Sequence, residues 1–131
     1  MAQSVQPFLM FEGQAEEAMN FYVSLLPDSE ILEIERYGPG GAGAEGSVVR
    51  ARFSLLGEIV NCIDSPAKHA FTFTPSFSFF VECEDEGEIA RLTEALGERG
   101  QSFMPLGEYG FSRKFAWVGD RFGVSWQLNL A

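Results

Sequence analysis

The chain has 131 residues, 46% of them hydrophobic and 13 of them phenylalanine. That is one domain's worth of sequence with enough apolar side chains for a core, so disorder is excluded. The formal net charge of -10 repels duplex nucleic acid and anionic membrane surfaces, and neither is expected as a partner.

Pro7 to Phe11 is a short apolar run and predicts a buried strand. From Gln14 to Leu26 the residues Ala15, Ala18, Met19, Tyr22, Leu25 and Leu26 recur at three- and four-residue spacings and predict a helix. Glu16 and Glu17 suit the positive end of its dipole, and Pro27-Asp28 stops it. Glu30 to Tyr37 alternates and predicts a strand. Gly38 to Gly46 holds five glycines and a proline, a loop that could serve as a flap over a cavity mouth. Val48 to Leu55 and Glu58 to Asp64 form a hairpin turning at Leu56-Gly57, and Ser65 to Pro75 is a connector.

The order then starts again. Ser76 to Glu82 predicts a strand with Phe77, Phe79 and Val81 on one face and Ser78, Phe80 and Glu82 on the other. Asp85 to Gly97 predicts a helix with the stripe Ile89, Leu92, Ala95 and Leu96, stopped by Gly97 and Gly100. Gln101 to Met104 is a short strand and Pro105 to Gly110 a loop. Ser112 to Val118 and Val124 to Leu130 are the last strands, turning at residues 119–123. The expected fold class is α+β, two βαβββ modules in a single domain, about 5–66 and about 74–131. A ligand would sit on the concave surface left between the two sheets.

Cys62 and Cys83 lie in apolar strands outside any CxxC pair and read as two buried thiols in a reducing cytoplasm. Residues 1–6 carry no basic region followed by an apolar run, so no signal peptide is expected. No apolar stretch is long enough to span a bilayer.

Two ends of the sequence carry a family pattern. Pro7-Phe8-Leu9-Met10-Phe11-Glu12-Gly13, Ala15-Glu16-Glu17-Ala18 and Phe21-Tyr22 before Pro27-Asp28-Ser29 resemble the opening of the PhnB-like, 3-demethylubiquinone-9 3-methyltransferase-like family. The closing run Asp120-Arg121-Phe122-Gly123-Val124-Ser125-Trp126-Gln127-Leu128 resembles its last hairpin. The stretch from Phe71 to Phe80 and the run from Tyr109 to Phe115 fit one branch of that family. The resemblance implies the vicinal oxygen chelate fold shared with glyoxalase I and the fosfomycin and bleomycin resistance proteins. It also implies a homodimer and, in many superfamily enzymes, a divalent metal between the sheets. Some members carry a methyltransferase label, but this chain has no glycine-rich strand-to-helix turn to hold a nucleotide cofactor.

Superfamily metal ligands are His, Glu or Gln on the first and last strand of each half. The corresponding positions here offer Gln6, Asn61, Ile63, Asp64, Ser76, Phe77 and Gln127. Neutral amides and a hydroxyl are poor ligands for a transition metal, so no metal and no cofactor is expected. The one histidine, His69, reads as a solvated loop residue. Gln127 has the opposite parity to Trp126, and the family alignment places it in the cavity, where it either bonds across the sheets or orients a ligand. Tyr109, Arg113 and Lys114 either hold an anionic or carbonyl ligand or form a surface group balancing nearby acids. The expected binding residues are Gln127, Phe77, Phe79, Phe11, Tyr109 and Arg113. The functional expectation is metal-free binding of a small apolar or aromatic molecule. The alternative is a lyase, isomerase or dioxygenase, with or without a metal.

Overall fold

The first half of the chain folds as β1 (Phe8–Phe11), α1 (Ala15–Leu25), β2 (Glu30–Arg36), β3 (Val48–Leu55) and β4 (Glu58–Asp64) in the computed structural model, which describes all 131 residues. The second half repeats the order as β5 (Ser78–Glu82), α2 (Glu86–Gly97), β6 (Gln101–Gly107), β7 (Lys114–Gly119) and β8 (Ser125–Leu130). The fold is α+β, with two four-stranded mixed sheets ordered β1-β4-β3-β2 and β5-β8-β7-β6. In each sheet the first strand runs parallel to the last, and the other neighbours are antiparallel. The chain divides into two compact units, Met1–His69 and Ala70–Ala131. No helix is long and apolar enough to cross a membrane.

In the first unit, α1 buries Ala15, Ala18, Met19 and Tyr22. Tyr22 meets Phe53 of β3 at a ring distance of 6.3 Å. Alternation along the strands then sends Leu9, Phe11, Ala51, Phe53, Val60 and Cys62 to the helix side. In the second unit α2 buries Ile89, Leu92 and Leu96. Its N-cap is Asp85, whose carboxylate accepts from the Glu88 N–H at 2.8 Å, while Glu88 reaches back to the Glu84 N–H at 2.7 Å. The helix-side face of this sheet is Phe79, Val81, Ala116, Val118, Trp126 and Leu128.

Several boundaries differ from the sequence reading. β5 begins at Ser78, which leaves Phe77 outside the strand. β6 continues through Pro105 to Gly107, with register shifts on either side of Met104. A proline is tolerated there because β6 is an edge strand, whose outer N–H groups need no ladder partner. The Gly38–Gly46 loop is closed at its base: Tyr37 N–H donates to Ser47 O and Gly46 N–H to Tyr37 O, both at 2.8 Å.

The closing run has a structural explanation. Asp120, buried, accepts from Phe122 N–H at 2.8 Å, Val124 N–H at 3.0 Å and the Trp126 indole N–H at 2.9 Å. Gly123 N–H closes the turn on Asp120 O at 2.9 Å, with Gly123 at φ +90. One carboxylate thus satisfies two turn amides and the only polar atom of the largest buried side chain.

Candidate functional site

The faces turned away from the helices carry the unusual residues. In the second sheet Phe80 of β5 stands opposite Gln127 of β8, and Gln127 stands opposite Trp117 of β7. The Phe103 ring extends this row, 5.1 Å from Trp117. Phe80 is 57% exposed and Gln127 half-buried. Gln127 makes one hydrogen bond, from Nε2 to Ser78 Oγ at 3.4 Å, which leaves its carbonyl oxygen available. Ser78 and Ser125 are 2.6 Å apart, and Trp117 Nε1 donates to Ser125 Oγ at 2.8 Å. An aromatic floor with a short polar chain through it is suited to a flat apolar molecule with one polar group.

The next row on this face is Glu82, Asn129 and Phe115. Asn129 Nδ2 donates to Glu82 Oε2 at 3.0 Å, and Ser112 Oγ donates to Asn129 Oδ1 at 2.5 Å. Phe115 is covered edge-on by Phe111 and Tyr109, at 5.0 and 6.3 Å.

The first sheet repeats the pattern with one change. Phe8 of β1 stands opposite Asn61 of β4, Asn61 opposite Arg52 of β3, and Arg52 opposite Glu33 of β2. Phe8 is 60% exposed. An exposed phenylalanine beside a half-buried amide thus occurs in both halves, followed by an arginine in one and a tryptophan in the other.

The residues picked from the sequence are not all brought together. Gln127 lies on the face opposite to Trp126, the side to which the family resemblance assigns it, but Phe79 does not share that face. Phe79 stands opposite Trp126, ring to ring at 4.8 Å, on the helix side. Phe11 is 3% exposed and also on the helix side, opposite Asp64. Phe77 is exposed and precedes β5. In β5 the correction has a physical cause: the uniformly apolar parity, Phe79 and Val81, goes to the helix, and the mixed parity, Ser78, Phe80 and Glu82, is left open. Phe80, Phe8 and Trp117 were therefore missed, although the parity of Phe80 with Ser78 was visible. Tyr109 donates to Pro105 O at 2.5 Å and stacks at 6.3 Å on Phe111. Arg113 is held elsewhere: Nε and a terminal nitrogen both donate to Ala131 O, at 3.1 and 2.9 Å. Tyr109 and Arg113 thus make their hydrogen bonds to two separate backbone carbonyls.

Three further groups bear on chemistry. Burial pushes the Cys62 thiol up to about 12, with the Asp64 charge adding to it. Burial, then Glu88, pushes Cys83 up to about 11. Neither offers a thiolate at neutral pH. His69 is half-buried rather than solvated: its Nε2 lies 2.8 Å from Ser65 Oγ, and its backbone N–H donates to Glu12 Oε2 at 3.3 Å. Ser65 Oγ is also engaged with Ala67 O and Ala67 N–H, as in a turn tether.

The donors on the open faces bear on the divalent metal that the family resemblance implies. The first and last strands offer Asn61 in one sheet and Ser78, Ser125, Gln127 and Asn129 in the other, with Glu82 as the one carboxylate and already bonded to Asn129. Such a set does not fit a divalent transition metal, which favours imidazole, thiolate and free carboxylate.

The model of the 3-demethylubiquinone-9 3-methyltransferase family matches residues 3–129. The PhnB protein from Bacillus cereus, which carries the provisional name 3-demethylubiquinone-9 3-methyltransferase, is 54% identical, with 98% of this chain and 100% of that one covered and a TM-score of 0.96. Protein PA1353 from Pseudomonas aeruginosa is 26% identical over 98% of each chain, with a TM-score of 0.84. The fosfomycin resistance protein FosX from Listeria monocytogenes is 10% identical over 100% of this chain and 94% of that one, with a TM-score of 0.59, and shares the fold. No curated protein matches the sequence. The chain belongs to the 3-demethylubiquinone-9 3-methyltransferase family, the PhnB-like group.

Proposed function

We propose that the protein binds a small apolar or aromatic molecule on the open face of its second sheet, without a metal. The observation that carries this reading is the row Phe80–Gln127–Trp117, where an exposed ring lies beside an amide with an uncommitted oxygen. The ring supplies apolar area, and the amide fixes the orientation of a polar substituent. Trp117 supplies the readout, because Trp126 is buried on the helix side. With 2-naphthol as probe, tryptophan quenching is expected to saturate and to disappear in Trp117→Phe. Phe80→Ala is expected to weaken binding about tenfold, in line with the loss of an aromatic contact. Gln127→Leu should alter binding while costing the fold about 1 kcal/mol. EDTA should change nothing. Quenching indifferent to both Phe80→Ala and Gln127→Leu would refute the site, and binding lost to EDTA and restored by a divalent metal would refute the metal-free reading.

We infer also that the chain forms a homodimer in the cytoplasm. Family resemblance supports the dimer, as do the exposed rings of Phe103, Tyr109 and Phe111 in the second unit. Light scattering at micromolar concentration is expected to give about twice the chain mass of 14.5 kDa, and the mass of one chain would contradict it. Two free thiols agree with a reducing compartment, and recovery of the protein from a secreted fraction would count against it.

A further inference from the structure

The open face of the first sheet holds a cavity of about 240 Å3, lined among others by Phe8, Glu33, Arg50, Arg52 and Asn61. Arg50 and Arg52 are two residues apart on β3 and so point to the same side, about 7 Å from each other. Each uses only its Nε–H on a β2 carboxylate: Arg52 on Glu33 at 2.9 Å and Arg50 on Glu35 at 3.2 Å. The terminal nitrogens of both guanidinium groups make no hydrogen bond. The two glutamates thus orient the forks and leave their outer edges free, the edges that match a carboxylate. Across the sheet, Phe8 lies two strands from Arg52, about 10 Å at the usual strand spacing, with Asn61 between them. Asn61 is itself steadied, since its Nδ2 donates to Gln6 Oε1 at 2.9 Å. An apolar ring at one end and a cationic fork at the other, with an amide midway, is the complement of an aromatic acid.

We propose that this face of the first sheet binds an aromatic carboxylate, with the ring on Phe8 and the carboxylate on the terminal nitrogens of Arg52 and Arg50. The site belongs to the first unit and stands whether or not the second sheet takes a ligand. Sheet two carries a tryptophan beside its amide and suits a neutral molecule, whereas sheet one carries an ion-paired arginine at the matching position and suits an acid.

The test is amide NMR titration of the full chain with sodium benzoate, sodium acetate and benzyl alcohol. Benzoate is expected to shift Phe8, Arg52 and Asn61 saturably, with acetate and benzyl alcohol each at least tenfold weaker. Arg52→Gln should weaken benzoate at least tenfold and leave benzyl alcohol unchanged. Should Arg52→Gln lose its dispersed spectrum, Arg50→Gln and Phe8→Leu carry the same comparison, each with a loss of at least threefold. Equal binding of benzyl alcohol would overturn the carboxylate, and equal binding of acetate would overturn the ring. Benzoate shifts confined to Phe80, Gln127 and Trp117 would overturn the location, as would benzoate binding unchanged in the arginine variants.

Discussion

Asp64→Ala is expected to destabilise the protein by about 4 kcal/mol, the sum of several buried backbone donors left without an acceptor. Asp64 is 3% exposed at the end of β4. Its Oδ1 accepts from Gly13 N–H at 2.8 Å and Ala15 N–H at 2.9 Å, and its Oδ2 accepts from Val48 N–H at 2.9 Å. The first two donors belong to the entry of α1, where Gln14 at the N-cap position makes no side-chain cap. A residue from β4 therefore caps the helix that its own sheet supports, and the same carboxylate holds the start of β3. Asp64→Asn keeps one acceptor oxygen and should cost about half as much. Urea denaturation followed by circular dichroism measures both. An Asp64→Ala midpoint unchanged from the parent would show that water replaces the carboxylate at no cost.

Gly100→Ala is expected to be nearly as damaging, at about 3 kcal/mol, because the backbone cannot yield. A Cβ at Gly100 would lie 2.0 Å from Gly119 O and 3.0 Å from both Gly119 C and Asp120 C. Gly119 pairs with Gln101 at the start of β6, so relief requires β6 to move off β7. That would disturb the strand carrying Trp117 and the Phe103 ring, hence the floor of the proposed site. Gly38→Ala is the control: nothing lies within 4 Å of a Cβ there and its φ is not positive, so a change of less than about 0.5 kcal/mol is expected. Thermal melts of the two variants decide the matter. Equal melting temperatures would mean that the close approach at Gly100 is relieved without moving the strand.

Glu16 and Arg36 give a weaker, pH-dependent contribution. The hydrogen bond and charge of Arg36 hold the Glu16 carboxyl below its ordinary value. That support is present at neutral pH and is lost as acid protonates Glu16. Both groups are substantially exposed, so the pair adds little.

Much of the fold was legible along the chain. The spacing of Ala15, Ala18, Met19 and Tyr22, and of Ile89, Leu92 and Leu96, defines two amphipathic helices, and Gly and Pro mark the breaks between strands. These signals are local, each read within one turn or one strand. Parity also separates Gln127 from Trp126 and Phe79 from Phe80 without any structure. What parity leaves undetermined is which face a helix will cover. That is decided by how α1 and α2 fold back over their sheets, and it sent Phe79 and Phe11 inward and left Phe80 and Phe8 outward. Strand register was equally out of reach, because it joins residues far apart in sequence. Only register places Phe80, Gln127 and Trp117 in one row, sets Phe8 and Asn61 in line with Arg52, and draws Arg113 to Ala131 instead of Tyr109. The Asp120 turn shows both sides: its residues form a recognisable run, but the reason they occur together is a buried carboxylate reaching an indole six residues on.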